Sequence, residues 1–191
     1  VNTPAHLLLG WAVFGRRKSK TIVAAALIGA LLPDLSLYLL AGTSLFVLGI
    51  APEVVFGELY FSELWQTIFA IDNSFIIWSG FLALAIWSKR SWAIALCGAA
   101  LLHLALDFPL HHDDGRAHFW PISDWIFASP VSYWDNHHHG SIVGPIELGL
   151  AVGCAVAILS GRVWQWITLP VAILLMLEAF VVLQWFFWDM A

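Results

Sequence analysis

The residues able to do chemistry stand in a few short stretches of the chain. His103-x3-Asp107-x3-His111 is followed by His112, Asp113, Asp114 and His118, and far upstream stand His6 and Asp34. Positions i and i+4 share one face of a helix, so His103 and Asp107 can point at one spot. Pro109 disfavours further helix and would turn His111 and its neighbours over that spot. Imidazole nitrogen and carboxylate oxygen are donors that suit Zn²⁺ or another first-row divalent ion. A centre that kept one position for water could attack an ester or phosphoester, because bound water is acidified toward a pKa of about 7. His6, Asp34, His103 and Asp107 are the candidate metal ligands, with His111 or His118 completing the shell and Glu147 or Asp114 as the base.

Each of these residues also has a plainer role open to it. An H-x3-D pair can clamp two helices by hydrogen bonding, and loop histidines can simply be solvated. Pro33-Asp34 can be a kink with a capping carboxylate, although His6 is expected level with it. Asp72-Asn73-Ser74 reads as a cap of the third helix. Glu147 could be a general base or a partner for Arg116, and Glu178 reads as a lone buried acid. Of His137-His138-His139, three consecutive residues cannot all face one way, so one or two at most could join a site. Cys97 and Cys154 fall in apolar runs and read as small packing residues.

The elements that must position these groups are membrane helices. The chain has 191 residues, 61% of them hydrophobic and only 11% charged, whereas soluble domains carry about a quarter charged residues. Its apolar runs are continuous over about 20 residues, the length of a transmembrane helix, and lack the alternation of a membrane strand. The expected fold is an all-α polytopic bundle forming one membrane domain over 1–191. About six helices are predicted, over 4–15 (short), 21–50, 68–87, 92–108, 142–159 and 163–188. Segment 52–66 should lie at the membrane surface, and 111–141 should form a His-rich outer loop. No basic stripe suited to nucleic acid is present.

Arg16, Arg17, Lys18 and Lys20 follow the first apolar stretch, which is the wrong order for a secretory signal. Placing that cluster in the cytoplasm brings Lys89, Arg90 and Arg162 to the same side, as the positive-inside rule expects. Trp87, Trp92, Trp164 and Trp166 then flank the inner turns, and Trp65, Trp120, Trp125, Trp134, Trp185 and Trp188 gather at the outer level. Counting about 1.5 Å per helical residue from the inner turns puts His6, Asp34, Asp72, His103, Asp107 and Glu147 at depths of about 15 to 25 Å. Ionisable groups inside spans are costly and usually mark function, and these converge on one layer in the outer half of the membrane.

Asn2-Thr3-Pro4-Ala5-His6, Gly29-Ala30-Leu31-Leu32-Pro33-Asp34-Leu35, His103-Leu104-Ala105-Leu106-Asp107 and Phe119-Trp120-Pro121 resemble, in order, the motifs of the bacterial inner-membrane YdjM-type proteins. These are described as membrane-bound metal-dependent hydrolases, similar to the zinc-dependent phospholipase C group. The resemblance implies that His6, Asp34, His103 and Asp107 correspond to the family's metal residues. Two positions depart from the pattern. Ser36 stands where a second Asp is expected, and Asn73-Ser74-Phe75 stands in place of a Thr-His-Ser motif.

Two expectations follow. In one, the chain is a hydrolase of the bacterial inner membrane with a divalent metal, zinc by its donors. It would act on a lipid or lipid-linked ester or phosphoester beneath a periplasmic 111–141 loop. In the other, it is a non-catalytic accessory subunit of a larger respiratory or photosynthetic membrane complex, with a structural or relict metal site. Val1 in the place of Met fits a GTG start read literally, which leans toward the second.

Overall fold

The computed structural model describes residues 1–160 and 165–188. Their regular structure is helical: α1 Thr3–Gly10, α2 Lys20–Gly42, α3 Pro52–Val54, α4 Glu63–Asp72, α5 Phe75–Trp87, α6 Ser91–Asp107, α7 Gly140–Leu159 and α8 Gln165–Trp188. Helices α1, α2 and α3 run on into π-type turns at Trp11–Gly15, Thr43–Val47 and Val55–Leu59. Four stretches are long and apolar enough to cross a membrane, Lys20–Val47, Glu63–Trp87, Gly140–Leu159 and Ile167–Gln184, and α6 is a shorter apolar helix. The protein is a helical membrane bundle. Large apolar side chains such as Phe46, Phe81, Val156 and Phe180 face outward, as they must where lipid is the solvent.

The first helix is short, as expected, and two other elements come out differently. The first helix with its π turn reaches only about 20 Å at about 1.5 Å per residue, short of the ~30 Å hydrocarbon core. It is a plug inside the bundle, packed on α2, α6, α7 and α8, with Ala5, His6 and Leu8 fully enclosed. The expected third helix is two helices, because Asn73 leaves helical geometry and Ser74 starts α5 by accepting a hydrogen bond from Ile77 N at 3.1 Å. The surface segment ends earlier than expected: Glu53 and Glu58 are exposed on α3 and its π turn, but Glu63 already opens α4. Trp65 is buried on Phe69 instead of anchoring at an interface. Of the residues expected to flank the turns, Arg162 and Trp164 lie outside the described residues, as do the side chains of Trp166, Trp185 and Trp188.

The helices that carry the candidate ligands approach closely because their contacts are made of small residues. Ala26, Ala30, Ala95 and Ala99 form one buried cluster between α2 and α6. A Cβ on Gly29 would fall 2.0 Å from the Leu96 carbonyl oxygen, and one on Gly10 would fall 2.9 Å from the Ala30 Cβ. Apolar contact gains little between helices already in lipid, so backbone proximity and van der Waals packing must hold them. Helices α2 and α6 run parallel, with Gly29 against Leu96 and Asp34 level with His103 one or two turns on. Their exposed basic starts, Lys20 and Lys89-Arg90, therefore share one end of the bundle, and the ionisable cluster lies toward the other.

Gly29→Ala is expected to destabilise the protein by about 1 to 3 kcal/mol through overpacking. Gly80→Ala, where an added Cβ meets nothing within 4 Å, should be neutral or slightly stabilising. Thermal unfolding of both variants in detergent checks this; equal melting temperatures would contradict the close α2–α6 contact.

Candidate metal centre

His103 and Asp107 stand one turn apart on α6, with His103 Nε2 3.2 Å from Asp107 Oδ2. The ring of His103 is oriented from α2. Pro33 removes the N–H that would have bonded the Gly29 carbonyl and so loosens the helical ladder there. Beside this break the Ala30 carbonyl accepts from His103 Nδ1 at 2.8 Å. With the proton on Nδ1, Nε2 carries the lone pair. Asp34 approaches the same nitrogen, with Oδ1 at 3.5 Å, while its Oδ2 accepts from Thr3 Oγ1 at 2.6 Å.

His6 arrives on α1. Its Nε2 lies 2.9 Å from Asp107 Oδ1, and its ring stacks on His103 with centroids 3.6 Å apart and planes 13° from parallel. The Val1 nitrogen also meets Asp107 Oδ1, at 2.8 Å. What holds α1 in register is a pair of acids from other helices. Glu147 of α7 accepts from Asn2 N, and Glu178 of α8 accepts from Ala5 N at 3.1 Å and Asn2 Nδ2 at 3.4 Å. The first amides of a helix have no partner within it, so these carboxyls satisfy what would otherwise be orphaned donors in an apolar interior. Glu147 therefore does not pair with Arg116, and Glu178 is not a lone acid.

His111 closes the cluster from the loop. Its Nε2 is 3.4 Å from Asp107 Oδ2 and its Nδ1 is 2.9 Å from Asp114 Oδ1. Burial works against a charge on His111, but Asp107 and Asp114 outweigh it and raise its pKa above the ordinary value. Burial likewise opposes the charge of Asp114, yet His111 holds that carboxyl below the usual range. Asp114 also accepts from Trp134 Nε1 at 3.2 Å. Arg116 donates to the Tyr60 hydroxyl and to the Asp114 carbonyl, with its guanidinium over the rings of Tyr60 and Phe69.

Ligand atoms of His6, His103 and Asp107 all lie within 4.8 Å of one another. His103 Nε2 and His6 Nδ1 are buried with no aligned hydrogen bond, although His103 Nε2 has two carboxylates near it. Buried polar atoms without partners are rare and demand a reason. The donor set fits a divalent ion. Asp34, Asp107, His111 and Arg116 also line a cavity of about 620 Å³ whose remaining wall includes Tyr38, Phe56, Phe61, Tyr133 and Val181. Tyr38, Phe56 and Phe61 are half exposed at the bundle's flank.

His118 is not brought to this cluster. It is buried against Phe75 and Phe108, and its Nδ1 donates to the Asn73 carbonyl at 2.8 Å. The α4–α5 break is the dock for its segment: Phe75 N donates to the His118 carbonyl at 2.8 Å, and Ser74 Oγ to that of Trp120. Asn73 and Ser74, which stand in place of a histidine motif, thus hold the loop. Glu147 is absent from the cavity lining, whereas Asp113 and Asp114 are in it. Cys97 and Cys154 are unpaired packing residues. Thr3, Tyr38, Tyr60 and Tyr133 belong to the site and were not singled out from the sequence; only Thr3 carried a signal, as part of the Asn2-Thr3-Pro4 stretch.

Burial lowers the pKa of His118 to about 4. An unfolded imidazole takes up its proton near pH 6.5, so the folded state loses stability as pH falls from there toward 4, by about 3 kcal/mol at most. His118→Gln should lower stability at pH 7 but flatten this acid dependence. Unfolding at pH 7 and pH 4.5 checks it; an unchanged slope would contradict the assignment.

Comparison of the chain with protein-family models, with curated proteins and with solved structures returns no match.

Proposed function

We propose that this chain is a metal-dependent hydrolase embedded in the bacterial inner membrane, acting on a lipid or lipid-linked ester or phosphoester, with the 111–141 loop on the periplasmic side. The observation that carries the reading is the convergence of His6, His103 and Asp107, with buried ring nitrogens lacking aligned partners, and with Asp107 at the wall of a cavity of about 620 Å³. His6, His103 and Asp107 would hold the ion, with Asp34 and His111 completing the shell, and zinc is favoured by the mixture of imidazole and carboxylate. A divalent ion there supplies Lewis acidity, stabilising the charge that develops on a carbonyl or phosphoryl oxygen.

The chain's own residues supply the rest. The Ala30 carbonyl and Asp114 fix the ring orientations of His103 and His111, a second tier that raises ligand basicity and sets the tautomer. Where His111 is not a ligand, Asp114 would orient it as the base, which makes Asp114 a positioning residue. Glu147, hydrogen-bonded to the α1 amides, supports His6 instead of acting on substrate. The Arg116 guanidinium at the cavity suits an anionic phosphoester better than a neutral ester. The half-exposed Tyr38, Phe56 and Phe61 suit the apolar chain of a substrate that arrives from the bilayer.

The purified protein should carry a stoichiometric divalent ion by elemental analysis, and His103→Ala combined with Asp107→Ala should remove it. Asp34→Asn and Thr3→Ala should weaken metal affinity by about 10 to 100-fold. A folded wild-type chain that takes up no ion at the buried cluster on equilibration with Zn²⁺ would sink the proposal.

A further inference from the structure

Every exposed large apolar side chain of the 111–141 loop falls in one short segment, 119–128. Ile122 is 76% exposed, Trp125 54% and Ile126 47%. Asp124 is the segment's single ionisable residue. The other arm of the loop exposes His137 and His139, which suit water. Apolar groups gathered on one stretch of surface mark a face that meets something other than water.

The segment is tied to the bundle at a height that can be counted. Phe75 N donates to the His118 carbonyl at 2.8 Å, and Ser74 Oγ donates to that of Trp120. Ser74 stands about 22 Å from Lys89 along α5, at about 1.5 Å per residue. A hydrocarbon core is about 30 Å thick, so the dock lies within the leaflet away from the basic end of the bundle. From there the apolar flank runs outward through ring contacts. Phe75 and Phe119 have centroids 6.0 Å apart, as do Phe119 and Trp125. Ile76 and Phe81 of α5 are exposed on the same bundle flank, and Ile122, Trp125 and Ile126 extend that surface onto the loop.

We propose that segment 119–128 is a membrane anchor, seated at the boundary of headgroups and acyl chains in that leaflet, with Ile122, Trp125 and Ile126 in contact with lipid. An indole, apolar in body with one polar N–H, is favoured at this level. The segment's irregular backbone also suits it, because headgroups and water supply hydrogen bonds there that the hydrocarbon centre does not. Ser123 and Asp124 are exposed between the apolar residues and meet the polar side of the boundary. The anchor is rigidly coupled to the cavity wall. A Cβ on Gly115 would fall 2.9 Å from Ile126 Cγ2 and 3.1 Å from the Phe127 carbonyl oxygen. The backbone between Asp114 and Arg116, both in the cavity lining, therefore packs directly on the segment. Seating the segment in lipid sets the cavity at the level of the membrane surface. Nothing in this inference depends on the metal centre.

Spin labels on the full chain in nanodiscs of phosphatidylethanolamine and phosphatidylglycerol test it. In a Cys97→Ala, Cys154→Ala background, Ile122→Cys, Ile126→Cys and, as the water-facing reference, His137→Cys each take one nitroxide. Collisions with oxygen, which concentrates in lipid, and with a water-soluble nickel chelate then give the depth of each label. The labels at Ile122→Cys and Ile126→Cys should favour oxygen and read about 5 to 10 Å into the headgroup–acyl boundary, while that at His137→Cys favours nickel. Nickel access at either isoleucine position equal to that at His137→Cys would place the segment in water and overturn the proposal. Shielding from both reagents would show protein cover, by a second copy or another partner, and overturn it as well. Should a labelled chain lose the melting temperature of its background, Trp125→Phe gives an unlabelled reading. Lipids brominated on their acyl chains should quench wild-type fluorescence more than that of Trp125→Phe, and equal quenching overturns the anchor.

Discussion

A carboxylate taken out of water must be surrounded by groups that share its charge, or the fold bears several kcal/mol of uncompensated desolvation. Asp107 sets that requirement here. It is buried at the end of α6, and both oxygens are engaged: Oδ1 with His6 and the Val1 nitrogen, Oδ2 with His103 and His111. These partners come from the start of the chain, from α6 itself and from the loop beyond it. Satisfying one side chain therefore brings three distant parts of the sequence to one point.

That convergence is possible only because the helices around it are thin where they meet. Gly29, Ala26, Ala30, Ala95 and Ala99 let α2 and α6 approach until backbone meets backbone. The approach brings the Ala30 carbonyl to His103 Nδ1 and Asp34 to its other nitrogen. The loop needs its own attachment. The α4–α5 break leaves backbone groups free inside an apolar bundle, where each must find a partner, and the His118–Trp120 segment supplies them. Arg116, lying over Tyr60 and Phe69, fixes the same loop nearer the cavity.

Much of this was legible in the sequence, for definite reasons. Helical rise alone placed His6, Asp34, His103 and Asp107 at one depth, and the i, i+4 spacing put the last two on one face. What sequence could not show was which partner a buried group would choose. Glu147 and Glu178 looked like a base and an orphan because their acceptors' targets are backbone amides, which carry no letter in the sequence. Asp72-Asn73-Ser74 was readable as a cap, but hydropathy runs straight through it, so the helix break and the loop docked there were invisible. His118 shares its residue type with the cluster, yet the Phe75 and Phe108 rings and the Asn73 carbonyl hold it elsewhere. Short polar spacing gives reach; it does not give direction.

The two imidazole stacks, His6 on His103 and His112 on His138, differ in how their direction is secured. In His103 and His112 one nitrogen is held by a carbonyl from another segment, and in His138 by Asp135 three residues earlier. In His6 the held nitrogen is Nε2, 2.9 Å from Asp107 Oδ1, while Nδ1 has no partner. Its ring is aimed by Asp107, by the placement of α1 and by the stack on His103. The placement of α1 rests in turn on Glu147 and Glu178 accepting its first amides. Those two acids thus do for His6, through a helix, what a single carbonyl does for His103 directly. This accounts for two costly carboxyls buried in a membrane interior.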